Sequence, residues 1–194
     1  MRMHRLVTWT LLLLAAISLG ACGSVSKLQT RDSKARMAIG DFAQVEVIDF
    51  EVTATTDDPD EKDQAKFLAQ VTEARSKFAD LIAEELRERG QHALVSREPL
   101  PDPALRVTGT ITRYDEGNVA ARMVSGFVGQ AHFEADVVVS DNQDGRVLGT
   151  FKVDRNSWPL PIGASTNAVQ NTGTFMSGAA KRIGEDLAKA RGGK

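Results

Sequence analysis

Two periodicities divide the chain into elements. Between Ala43 and Val52, the residues Val45, Val47, Ile48, Phe50 and Val52 supply β-branched and aromatic bulk and predict a first strand. Asp57-Asp58-Pro59-Asp60-Glu61 follows, with a capping carboxylate, a proline suited to a first helical turn and further acid where the helix dipole favours it. Phe67, Val71, Ala74, Phe78, Leu81, Ile82 and Leu86 then recur at three- and four-residue steps, and Arg87, Arg89 and Gly90 supply a stop. This predicts a long amphipathic helix. His92 to Ser96 reads as a short strand, and Pro99, Pro101 and Pro103 as a rigid loop.

The period then changes to two. Leu105, Val107, Gly109 and Ile111 alternate with Arg106, Thr108, Thr110 and Thr112; Phe133, Ala135, Val137 and Val139 alternate likewise; Val147, Gly149, Phe151 and Val153 do so after the hairpin-like Asp141-Asn142-Gln143-Asp144-Gly145. Phe175, Met176, Ala179, Ala180, Ile183 and Leu187 return to helical spacing before Gly192 and Gly193. Strand, helix, four strands, helix implies a right-handed crossover that sets the first two strands parallel, with later strands added by hairpins. The expected fold is α+β: a two-layer sandwich in which a mixed sheet of about five strands carries two helices on one face.

The N-terminus follows neither period. Arg2, His4 and Arg5 precede an uncharged run from Leu6 to Leu19, and Leu19-Gly20-Ala21 leads to Cys22, the only cysteine. A positive start, an apolar run and small residues before a cut describe a secretory signal too short to span a bilayer. With cysteine at the cut, the segment resembles the lipobox of bacterial lipoproteins. That resemblance implies cleavage after residue 21 and acylation of Cys22, which would also consume a thiol that has no disulfide partner. Two or three chains, at about 0.8 kcal/mol per buried methylene, make such an anchor effectively permanent. Gly23, where aspartate would signal inner-membrane retention, implies the periplasmic face of the outer membrane. Residues 1–21 are thus read as signal peptide, 22–41 as a lipidated N-terminus and flexible tether, and 42–194 as one domain.

Charge and composition narrow the function. Removal of residues 1–21 takes Arg2 and Arg5 and leaves 22 basic against 26 acidic side chains, a net charge of −4 without a basic stripe. Nucleic acid is therefore not an expected partner. No Gly-x-Ser-x-Gly elbow occurs, and acylated Cys22 is unavailable as a nucleophile. His132, Glu134 and Asp136 share a strand face, but only two neighbours reach one ion easily and His92 stands alone, so neither a metal, a cofactor nor a catalytic residue is expected.

Val47-Ile48-Asp49-Phe50, Leu105-Arg106-Val107-Thr108-Gly109-Thr110-Ile111 and the spaced set Gly117-Asn118, Arg122, Gly126 and Gly129 together resemble the bacterial lipoproteins catalogued as domain of unknown function 4410. The likeness extends over about residues 42 to 190 and assigns no activity. The layout is also similar to envelope domains of the Tol-Pal translocation protein B, the curli secretion lipoprotein and lipoprotein activators of cell-wall synthases, which implies protein binding or self-assembly.

The candidate partner-binding segment is Gly117 to Gly129. Gly117, Asn118, Arg122, Met123, Gly126, Phe127 and Gly129 place apolar bulk beside one guanidinium suited to a bidentate carboxylate contact. The same residues also describe a twisted strand entry, with glycines at a bulge and Arg122 bound within its own domain. Trp158, in Trp158-Pro159-Leu160-Pro161-Ile162, is a further candidate recognition residue or a lid packed on a sheet edge. The expected function is non-enzymatic: an outer-membrane-anchored lipoprotein that binds an envelope protein or itself. The alternative is a carrier of a small envelope ligand, a lipid or cell-wall fragment, held between the helices and a loop.

Overall fold

The computed structural model describes residues 24–56, 60–118, 129–157 and 170–192. The elements run β1 (Gln29–Thr30), α1 (Ser33–Asp41), β2 (Gln44–Val47), β3 (Glu51–Val52), α2 (Glu61–Arg89), β4 (Leu94–Ser96), β5 (Leu105–Asp115), β6 (His132–Asp141), β7 (Val147–Asn156) and α3 (Thr172–Gly192). The sheet order is β1-β7-β6-β5-β2-β4, with β3 also paired to β5. β4, β2 and β5 are parallel, while β5, β6, β7 and β1 are antiparallel.

The fold is α+β with a mixed open sheet, as the two periods predict. Among the described residues the expected five strands become seven, and the expected two helices become three. The first strand accounts for part of the difference. Val47 pairs with Val107 but Glu51 with Thr110, so the 44–52 stretch carries one residue more than β5 and divides into β2 and β3. That extra residue lets adjacent side chains, Asp49 and Phe50, both reach α2.

α2 starts at Asp60, whose carboxylate accepts from Lys62 N at 2.8 Å, and stops at Gly90 in the left-handed region (φ 62°). Its buried stripe includes Val71, Ala74, Phe78, Ile82 and Leu86. α2 and α3 pack on each other and share one sheet face. At the centre, the Phe78 ring lies 4.9 Å from Phe50 and 5.1 Å, edge-on, from Phe133. Gly109 sits beneath this cluster. A Cβ there would stand 2.1 Å from Asp136 O and 2.8 Å from Phe50 Cε1, so no larger residue fits without moving the sheet.

The opposite sheet face is mostly polar, and Glu46 on it is fully buried. The β4–β5 connection crosses over it. Leu100 N donates to Glu46 Oε2 at 2.6 Å, the Arg106 guanidinium binds Oε1, and Asn142 Nδ2 donates at 3.3 Å while also holding Leu100 O and Asp102 O. A buried carboxylate with this set of donors is compensated, and the loop that supplies them is fixed. On the helical side, Arg97 ties the same connection to Asp80 of α2, to Asp49 and to Val47 O. The Ser76 hydroxyl, ahead of Arg97, holds the Asp49 carboxyl below the usual range.

The expected tether is not one for the described part. Residues 24–41 bridge β7 at Val25, form β1 and α1, and bury Leu28 and Ile39. α1 begins at Asp32, which accepts from Ala35 N at 2.8 Å, and packs on α3 and the β7–β1 edge. The polar residues counted as spacer are its outer face; Leu28 and Ile39 are the buried side that their number concealed.

Two stability effects follow. Phe78 is fully buried between Phe50 and Phe133, so Phe78→Ala should cost about 3–5 kcal/mol in denaturant melts; a loss below about 1 kcal/mol would contradict the aromatic centre. His92 supplies a pH effect. Burial, then the Arg191 guanidinium 3.5 Å from its Nδ1, pushes the imidazole down to about 4 from 6.5, while Phe42 O is the opposing contact. The unfolded chain takes up this proton at about 6.5 and the fold only at about 4. The stability present above 6.5 is thus lost as pH falls through that window. His92→Ala should flatten melts measured between pH 7 and pH 4, whereas Asp49, whose carboxyl is lowered, contributes its loss only further down.

Candidate functional site

The candidate segment leaves the sheet at the end where Asp115 pairs with His132 and His132 with Asn156. An irregularity between Ile111 and Arg113 resets the alternation, so that Tyr114 turns to the helical face beside Phe133 and Arg113 to the open one. Sequence periodicity alone would assign those two the other way. The Tyr114 hydroxyl donates to Glu116 Oε1 at 2.9 Å and accepts from Thr172 Oγ1 at 3.3 Å. Burial, with Glu116 adding to it, pushes Tyr114 up to about 12, so the phenol keeps its proton and acts as a strut between β5 and the start of α3.

Beyond Tyr114 the chain closes on itself. Gly117 (φ 64°) donates to Asp115 Oδ1 at 2.7 Å, and Asn118 N donates to Gly129 O at 2.9 Å. Gly129 has φ 76°, and a Cβ on it would lie 2.7 Å from Asn118 O. Of the predicted site residues, Gly117, Asn118 and Gly129 are thereby brought together as the base of the segment. Arg122, Met123, Gly126, Phe127, Trp158 and Cys22 lie outside the described residues. The neighbouring connection starts from the same base: Ser157 N donates to Ala131 O at 2.9 Å, and Ala131 N to Ser157 Oγ at 2.9 Å.

Beside this base a cavity of about 300 Å³ opens between α2 and α3, with Gln70, Glu73, Lys77, Tyr114, Glu116 and Asn171 in its wall. Gln70 Nε2 donates to Glu116 Oε2 at 2.6 Å, and Asn171 caps α3 through Thr174 N at 2.9 Å. The wall is hydrogen-bonding and charged, which suits a polar group more than an acyl chain. Sequence reasoning placed a cleft between helices and loop but missed its residues, because Gln70, Glu73 and Lys77 read as the solvent face of α2.

On the open sheet face, the strand register replaces Asp136 by Asp154 in the His132 group. His132 Nε2 lies 2.9 Å from Glu134 Oε1 and 3.1 Å from Asp154 Oδ1, while Asp136 faces Lys152 at 3.9 Å. The ligand atoms of His132, Glu134 and Asp154 lie within 4.8 Å of one another and are the set of described residues able to offer three donors to a divalent ion. Both carboxylates lie within hydrogen-bonding reach of the one imidazole Nε2, and Arg113 stands 3.8 Å from Glu134, so contacts among protein side chains account for the group.

The chain matches the family model of a domain of unknown function, DUF4410, over residues 45–160, more than half its length, and belongs to that family. The match runs from β2 past the end of β7, taking in the base of the 117–129 segment. No curated protein matches the chain. Among solved structures it is similar to the PelC dodecamer from Paraburkholderia phytofirmans (13% identity, TM-score 0.45, 82% of this chain and 98% of that one). It is also similar to protein XCC0632 of family DUF330 from Xanthomonas campestris (14%, 0.43, 74% and 83%) and to a lipoprotein candidate from Caulobacter crescentus (16%, 0.37, 84% and 98%). Likenesses this remote assign no residue of the chain a role.

Gly129→Ala tests the closed base. Alanine at φ 76°, pressed against Asn118 O, should lower stability by about 1–3 kcal/mol in urea melts. Unchanged stability would mean that the 118–129 pairing does not hold.

Proposed function

We propose that the protein is a non-enzymatic lipoprotein of the cell envelope, anchored in the outer membrane through Cys22 and facing the periplasm, that binds an envelope protein or itself through the segment based on Gly117, Asn118 and Gly129. The anchor rests on the sequence from Arg2 to Cys22; no helix among the described residues is long and apolar enough to cross a membrane. The observation that carries the interaction reading is the closed base. Two positive-φ glycines and the Asn118–Gly129 hydrogen bond hold the ends of a segment containing Met123, Phe127 and Arg122, residue types that anchor protein interfaces. Three of the four described groups with shifted titration, Asp49, Arg97 and Tyr114, are each bonded across elements of the fold, which supports a role without chemistry.

The ligand-carrier reading has one observation in its favour, the polar cavity beside Tyr114. Native mass spectrometry distinguishes the two: retained small molecules on a monomer favour carriage, and higher-order masses favour assembly.

Arg122→Ala tests the interaction reading. A surface anchor should leave thermal stability within about 0.5 kcal/mol of the parent while in vivo cross-links weaken. A sharp fall in stability, or undiminished cross-links, would refute it.

A further inference from the structure

The earliest described residues are bonded to the edge of the sheet. Asp154 N donates to Ser24 O at 3.0 Å, Val25 bridges Val153, Ser26 N donates to Lys152 O at 2.8 Å, and Lys152 N returns a bond to Ser26 Oγ at 2.8 Å. Leu28 is buried over Gly149, where a Cβ would come within 2.7 Å of Leu28 Cδ1, and its N–H donates to Asp186 Oδ2 at 3.1 Å. Asp186 is itself nine-tenths buried, flanked by Arg182 and Lys189. The segment is therefore a built part of the domain, and it runs antiparallel to β7.

Cys22 precedes Ser24 by two residues, which allows at most roughly 7 Å between their Cα atoms. A lipid on Cys22 thus leaves the domain almost no slack. The surface beside Val25 carries Arg155, Lys181 and Arg182 against Glu185, with Lys181 exposed. Arg182 is paired with Glu185 and Asp186, and the exposed Lys181 suits the phosphates of a headgroup layer.

Resting on the lipid-anchor reading, we infer that the corner formed by the end of β7 and the first half of α3 lies against the membrane headgroups. The β6–β7 turn at Asp141–Arg146 then points away, and the Gly117–Gly129 base, at the Asn156 end of the sheet, is presented near the bilayer. β7 spans ten residues, so its two ends differ in height by roughly 30 Å if the strand stands upright.

Because Cys22 is the only cysteine, an introduced one is the only free thiol once Cys22 is acylated. Asn156→Cys and Gln143→Cys, each labelled with a donor fluorophore in the full-length lipoprotein, would be reconstituted in vesicles of phosphatidylethanolamine and phosphatidylglycerol that carry a headgroup acceptor. Transfer should be several-fold stronger from position 156 than from 143, and twenty Gly/Ser residues inserted between Gly23 and Ser24 should shrink the difference. Acylated protein with equal transfer from both positions, or stronger transfer from 143, overturns the orientation alone. Protein that mass spectrometry shows to be unacylated overturns the anchor reading and this inference with it.

Discussion

The contact on which the architecture depends is the approach of Phe50 to the bare backbone of Gly109. It requires two things at once: an extra residue between Val47 and Glu51, and no side chain at Gly109. With both in place, Phe50 enters the layer between sheet and helix, Phe78 packs against it, and Phe133 closes the cluster from β6. The same extra residue aims Asp49 at Ser76 and Arg97, so the apolar centre and the polar clamp on the β4–β5 connection have one geometric origin. Three elements distant in sequence are thereby fixed on α2.

Much of this was legible in the sequence because burial on one face imposes a period. The 105–111 and 133–139 alternations and the α2 stripe each report that face, and each element lies where its pattern falls. What was not legible depends on single-residue shifts and on remote partners. The irregularity at Thr112 exchanges the faces of Arg113 and Tyr114, and periodicity cannot register a slip that leaves hydrophobic content unchanged. Glu46 reads as an exposed strand residue until Leu100, Arg106 and Asn142 are placed around it. The 24–41 segment hides the same way, since Leu28 and Ile39 are isolated among polar neighbours and gain meaning only from Gly149 and α3. At the candidate site, the glycines at 117 and 129, read as the bounds of a loop or a bulge, both adopt positive φ, whereas the helix residues lining the cavity carried no local signal.

The buried and half-buried charges are tied to the fold through what they are bonded to. Arg97 joins β2, α2 and the β4–β5 connection; Glu46 joins that connection to β5 and to the β6–β7 turn; Asp186 joins α3 to the N-terminal segment. A carboxylate or guanidinium bonded to several fixed partners holds the elements that carry them in one arrangement. These groups serve as cross-links between elements in a chain with a single cysteine.

Such cross-links also determine how an anchor at the N-terminus would act on the domain. A flexible spacer would decouple the two and let any face meet any partner. Here Ser24, Ser26 and Leu28 are fastened to β7 and α3, so a constraint at Cys22 would pass to the sheet as an orientation. Orientation has a thermodynamic consequence for assembly: copies held on one surface with a common face outward lose less rotational freedom on association than copies free to tumble. A small interface on the Gly117–Gly129 segment would then suffice on a membrane where it would fail in solution. On the proposed function, the docked N-terminal segment and the closed loop base would be two parts of one device.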